Sequence, residues 1–201
     1  MLERPHVLII GDSTSMYFHT YVAAGLRDVA DVTRVPDNGR TSTHILERFD
    51  AWVVAVQPDL VHLNCGLHDL GRHEARAWEL KTPLDRYETN LRRIVARLQA
   101  ETGARVIWAS TTPVIDAWQL RTKNFARREA DVVAYNAVAA AVMASHGIPI
   151  NDLHALVTAA GPDKLLGPDG VHFTEPGSAL LGEHVARVVR DALLAAARVG
   201  G

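Results

Sequence analysis

Val7-Leu8-Ile9-Ile10-Gly11-Asp12-Ser13-Thr14 joins four consecutive apolar residues to a tight polar turn. An apolar run of that length reads as a fully buried strand, and Gly, Asp and Ser are residues of a sharp turn. An apolar pattern of helical period follows, carried by Met16, Tyr17, Tyr21 and Leu26. Ser13 therefore falls where a central strand turns into a helix. At such a place a hydroxyl can be exposed while its backbone N–H faces incoming negative charge. A nucleophile would sit well there, and so would an ordinary helix cap. The serine by itself does not separate the two.

Outward from this unit the chain repeats strand and helix. Asp31 to Pro36 reads as a second strand closed by its proline, and Asp37-Asn38-Gly39-Arg40 is turn chemistry. A helix is expected from Ser42, with the stripe Ile45, Leu46, Phe49, Trp52, Val53 and Val56. Leu60-Val61-His62-Leu63 is the third strand, leaving through Asn64-Cys65-Gly66-Leu67-His68-Asp69. Thr82-Pro83 reads as a capping residue with proline at the first helical position. That helix carries Leu84, Tyr87, Leu91, Ile94, Val95 and Leu98 and ends at Gly103. Val106 to Ala109 is the fourth strand. A helix through Val132, Val133, Val138 and Val142 reaches Gly147, before a short fifth strand at Ile148-Pro149-Ile150. Residues 161–170 read as loop, and a last helix starts near Glu175-Pro176. Alternating strands and helices predict a parallel sheet covered on both faces, an α/β, doubly wound architecture. In such sheets functional groups gather at the carboxyl ends of the strands, near the switch in strand order. Ser13, Gly39, His68 and the loop with Asp169 and His172 all fall at such ends.

The composition narrows the classes. A chain of 201 residues, 48% hydrophobic and 22% charged, suits one soluble domain over residues 1–201. A formal net charge of -2 gives no electrostatic reason for a nucleic-acid or membrane partner. One cysteine, Cys65, excludes an internal disulfide and a cysteine-rich zinc site. No apolar run approaches membrane-spanning length, and the first strand begins too early to follow a signal peptide. The expected location is cytoplasmic.

A serine is a weak nucleophile until a base takes its proton, and the base needs an orienting partner. Gly167-Pro168-Asp169-Gly170-Val171-His172 supplies both, three residues apart in one loop. One turn at that spacing could set the carboxylate on His172 Nδ1 and leave Nε2 free for Ser13. Acyl transfer also needs donors aimed at a developing oxyanion, and the N–H groups of Ser13 and Gly39 are candidates.

These blocks, in this order, resemble the SGNH or GDSL hydrolase family. Gly11-Asp12-Ser13 resembles its first block, Gly39 its glycine block, Gly66-Leu67-His68-Asp69 its Gly-x-Asn-Asp block, and Asp169-Gly170-Val171-His172 its Asp-x-x-His block. Thr111-Thr112-Pro113 and Tyr135-Asn136 are similar to the esterase branch. The resemblance implies a three-layer α/β/α, flavodoxin-like fold with a five-stranded parallel sheet. It implies a Ser13, His172 and Asp169 triad, an oxyanion hole at Ser13, Gly39 and His68, and an acyl-enzyme formed without a cofactor or metal. Asp12 and Asp69 are expected to support the loops. One departure stands out: His68 occupies the family's asparagine position. A neutral imidazole gives one N–H where an amide gives two, and a protonated one would titrate near neutral pH.

The expected reaction is hydrolysis of small acyl esters, acetyl esters included, on a small polar alcohol such as a sugar. A lysophospholipase or thioesterase uses the same chemistry. A binding module that kept the fold and lost activity, marked by His68, is a reading of another class. Cys65 next to His62 or His68 reads as a buried small hydrophobe rather than a nucleophile, and His62 as a core histidine. His68, Asp69 and His73 lack the flanking ligands of a metallophosphoesterase. Trp78 and Trp118 lie in the two longest irregular stretches, 71–81 and 114–128, the second with Arg121, Lys123, Arg127 and Arg128. They read either as a sugar-stacking or anion-attracting rim or as aromatics packed under a solvated loop.

Overall fold

The computed structural model describes residues 4–119 and 125–199, with nothing drawn from the side chains of 196–199. Its strands are β1 (His6–Ile10), β2 (Asp31–Arg34), β3 (Leu60–Leu63), β4 (Arg72–His73), β5 (Arg105–Ala109), β6 (Phe125–Ala126) and β7 (Ile150–Asn151). Five of them form a parallel sheet in the order β2-β1-β3-β5-β7, while β4 and β6 pair antiparallel outside it. The helices are α1 (Ser13–Leu26), α2 (Ser42–Phe49), α3 (Leu84–Glu101), α4 (Asp116–Gln119), α5 (Glu129–Ser145), α6 (Leu153–Ala160), α7 (Pro162–Leu165) and α8 (Glu175–Val199).

β1 lies inside the sheet, and none of Val7, Leu8, Ile9 and Ile10 is more than 2% exposed. Alternation sends its side chains to two cores. Val7 and Ile9 pack with Phe18, Val22 and Leu26 of α1 and with Leu181, Val185 and Val189 of α8. Leu8 and Ile10 join Ile45 and Phe49 of α2, Leu91 and Val95 of α3, and Tyr135 and Val142 of α5. The chain steps from β1 to β2 on one side, then crosses to β3 on the other. The resulting crevice opens at the carboxyl ends of β1 and β3, where a doubly wound sheet places its site.

Several local expectations shift. The buried stripe of α1 is Phe18, Val22 and Leu26, spaced by four to meet α8, whereas Met16 and Tyr17 face outward. α2 stops at Phe49 and passes into a π-helical turn over Asp50–Val54, which keeps Trp52 and Val53 in the core and leaves Val56 exposed. Pro83 is itself the N-cap of α3, so the helix begins at Leu84. The Thr82 carbonyl instead accepts the Tyr135 hydroxyl. The fifth strand is Ile150–Asn151, one step later than expected, and Trp108 N–H donates to the Pro149 carbonyl before it. Residues 161–170 are not all loop, because Pro162 opens the short α7. α6, capped by Asp152 accepting from Ala155 N–H, had no periodic stripe long enough to be read. No helix among the described residues is long and apolar enough to cross a membrane.

Candidate active site

The cap of α1 is Asp12: its Oδ1 accepts from Thr14 N–H at 2.9 Å, and its carbonyl accepts the Ser15 hydroxyl at 2.7 Å. Ser13 is the first helical residue, and its hydroxyl is left for another partner. That partner is His172, whose Nε2 lies 2.9 Å from Ser13 Oγ. His172 Nδ1 is 2.6 Å from Asp169 Oδ2. With Nδ1–H donating to the carboxylate, Nε2 is an acceptor and the Ser13 hydroxyl donates to it.

The loop before α8 holds this pair by local bonds. Asp169 Oδ1 accepts from the N–H groups of Val171 and His172 at 3.0 and 2.9 Å. Burial works against the Asp169 charge, but the hydrogen bonds from the His172 side chain and from these two amides outweigh it and hold the carboxyl well below the usual range. Gly170 has φ +68°, and a Cβ there would lie 2.6 Å from the Ile115 carbonyl oxygen, so the turn and its packing both demand glycine. Tyr17 sets its ring edge-on to His172, with centroids 6.0 Å apart.

The expected oxyanion donors fare differently. Ser13 N–H has no hydrogen-bond partner among the described residues. Gly39 N–H donates to the Gly11 carbonyl at 2.9 Å, and a Cβ on Gly39 would lie 2.7 Å from that oxygen. Its first use is thus close approach of two loops, with the N–H turned to Gly11 rather than left open. The His68 imidazole is half-buried, and burial pushes it down to about 4 against the Asp12 charge, which favours the neutral ring with one N–H to give. Asp69 is fully buried and accepts from Ser42 N–H at 3.1 and 2.9 Å and from the Ser42 hydroxyl at 2.7 Å. Burial raises its carboxyl to about 6. Asn90 Nδ2 donates to the same Ser42 hydroxyl. Asp69 thereby ties the loop carrying His68 to the start of α2, just beyond Gly39.

Other side chains singled out in the sequence lie elsewhere. Cys65 is 1% exposed, and burial, with the Asp69 and Asp12 charges, pushes its thiol far up, so it stays protonated. His62 is buried against Phe18 and within 3.2 Å of Asn151 Nδ2. His73 Nδ1 accepts from Ala75 N–H. Among the described residues no group of three His, Cys, Asp or Glu is arranged to hold a metal ion. Trp118 packs half-buried against the α1 and α8 core, while Trp78 is 36% exposed. Arg121 and Lys123 lie outside the described residues. Asn136 brackets Thr111 through bonds to its N–H and C=O, both 2.8 Å, fixing the exit from β5. Sequence reasoning offered Arg127 only as part of a basic rim and did not foresee its contact: Nε donates to the Leu67 carbonyl at 2.6 Å, one residue before His68.

A hydroxyl, an imidazole aimed by a carboxylate, and an unpartnered N–H at a helix start are the parts nucleophilic acyl transfer needs. The model of the GDSL-like lipase/acylhydrolase family matches residues 9–180. The chain belongs to this family. As a GDSL-like acylhydrolase it is a hydrolase, and solved structures share its fold. The lipase/acylhydrolase from Enterococcus faecalis is 21% identical, with a TM-score of 0.79 over 94% of this chain and 96% of that one. The acetylxylan esterase Axe2 from Geobacillus stearothermophilus is 21% identical, with a TM-score of 0.71 over 91% and 93%. The acetyl xylan esterase AlAXEase is 17% identical, with a TM-score of 0.75 over 92% and 99%. No curated protein matches the sequence.

Proposed function

We propose that this GDSL-like hydrolase is a serine esterase that cleaves carboxylic esters of small acyl groups, acetyl esters foremost, on a polar alcohol. The observation that carries this reading is the run of contacts from Ser13 Oγ through His172 to Asp169, 2.9 and 2.6 Å long. His172 Nε2 takes the Ser13 proton as Oγ bonds to the carbonyl carbon. Asp169 steadies the imidazolium without itself being protonated. The C–O bond to the alcohol breaks, the departing oxygen takes the proton from His172, and water releases the acyl group by the same route. Ser13 N–H and the His68 side chain hold the oxyanion. Gly39 N–H joins them where the substrate oxygen draws it from Gly11.

The preference for small acyl groups is supported by the small void beside the first turn of α1, about 10 Å³, which Ser15, Phe18, Asn64, Leu67 and Leu153 help to line and which is too small for a long acyl chain. The two acetyl xylan esterases of like fold point to the same class of substrate. The test is p-nitrophenyl ester hydrolysis from acetate to decanoate, with labelling by a fluorophosphonate. Acetate is expected to turn over fastest, and Ser13→Ala to abolish both turnover and labelling. A maximum at decanoate would mean a lipase-like enzyme. Turnover that survives Ser13→Ala would remove Ser13 from the mechanism.

A further inference from the structure

We infer that the groove between Trp78 and Arg128 receives the alcohol half of the ester and selects a ring that bears a carboxylate. This deepens the esterase reading and rests on it. The loops that follow β3 and β5 are clasped by the β4 and β6 pairing, Arg72 opposite Ala126 and His73 opposite Phe125. At the clasp a groove of about 200 Å³ is lined by Trp78, Asp116, Ala126, Arg127 and Arg128. Arg127 connects it to the catalytic end, since the same side chain binds the carbonyl of Leu67, the neighbour of His68.

The indole is placed at a cost. Ala77 and Trp78 are successive left-handed residues, with φ +50° and +63°, a conformation unfavourable for residues with a Cβ. It is imposed from beneath. Trp78 N–H donates to the His73 carbonyl, and its own carbonyl accepts from Arg72 Nη1 at 2.9 Å. Arg72 is itself clamped by both oxygens of Asp131, at 2.7 and 2.9 Å. Strain that neighbours enforce, with an exposed aromatic as the result, is characteristic of ligand clamps.

The charges opposite the indole are unbalanced. Arg127 is half-buried, its Nε is committed to Leu67, and its guanidinium lies over the Phe125 ring. Among the described residues no acceptor lies within hydrogen-bond reach of its Nη atoms, and no carboxylate pairs with Arg127 or Arg128. Asp116 Oδ1 already accepts from Glu129 N–H. Of the lining side chains two are guanidiniums and one is a carboxylate; Asp12 and Asp169 act on Arg127 through their charge without pairing with it, and the planar fork of arginine suits an incoming carboxylate. The flat indole face suits a ring.

The test is ligand-observed NMR titration of the whole protein with glucuronate, 4-hydroxybenzoate and glucose. Glucuronate is expected to bind at least tenfold more tightly than glucose, to weaken about tenfold in Arg128→Gln and in Trp78→Ala, and to weaken with added salt. The same dependence for 4-hydroxybenzoate instead would keep the ring-borne carboxylate and make the ring aromatic. Glucose binding as tightly as both acids, or neither variant altering binding, would overturn the inference. The esterase reading is separable by p-nitrophenyl acetate hydrolysis. An active enzyme indifferent to both acids loses the groove alone, and an inactive protein that binds glucuronate through Trp78 and Arg128 loses the esterase alone.

Discussion

His68 is where this chain departs from the blocks around it. On the proposed mechanism it supplies one oxyanion donor, because a neutral imidazole has one N–H. Removing one such donor ordinarily costs on the order of 10²-fold in kcat. His68→Ala is therefore expected to lower kcat for p-nitrophenyl acetate by about 10²-fold, and His68→Asn to stay active; an alanine variant at wild-type kcat would end that role. Asp169→Asn keeps the loop's shape but loses the carboxylate that fixes the His172 tautomer, and kcat should fall on the order of 10⁴-fold with KM little changed. At this scale the sequence was most legible where chemistry is local. Asp169 and His172 share one loop, and their spacing alone brought them together. Ser13 alone did not separate nucleophile from cap; the loop with Asp169 and His172 weighed for the nucleophile in the sequence, and in the structure Asp12 does the capping. The Gly39 N–H could not be placed, because its orientation depends on the Gly11 carbonyl across two loops. Arg127 was legible as a rim residue, but its bond to the Leu67 carbonyl was not, its partner lying 60 residues away.

Among the elements, the tightest fit is between α1 and α8. A Cβ on Gly182 would stand 2.4 Å from Tyr21 Cβ and 2.7 Å from the Phe18 carbonyl oxygen. Both are near the backbone and have little room to yield. Gly182→Ala would gain helix propensity of up to about 1 kcal/mol, but overpacking of this kind costs roughly 1–3 kcal/mol. A fall in Tm of a few degrees is the expected result, checked by thermal unfolding; a raised Tm would mean the helices can part freely. The strands were legible because buried parallel strands are uninterrupted apolar runs, as Val7 to Ile10 is. The long helices were legible from their stripes. α6 and α7 were not, since a helix of eight or four residues has too few turns to show a period. Met16 and Tyr17 misled because an apolar residue on a helix need not face the core.

The whole molecule carries opposed pH dependences. His62 and His68 are pushed down by burial from 6.5 to about 4. The folded state resists their protonation while the unfolded chain accepts it, so each contributes stability that is full above pH 6.5 and lost as pH falls toward 4. Asp69 runs the other way, its folded value raised to about 6, so protonating it adds stability between pH 6 and 3.8. With His184 also pushed down by burial, three histidines against one carboxyl predict a net loss of stability on acidification from pH 6.5 to 4, measurable by urea denaturation across that range. His62→Gln should flatten part of the slope. Finally, Ser13 and His172 touch across 159 positions of sequence, one at the start of α1 and the other just before α8. During synthesis the hydroxyl emerges long before its base. On the proposed mechanism the nascent chain carries an inert serine until the loop before α8 closes on it, and the onset of turnover is a built-in clock for that closure.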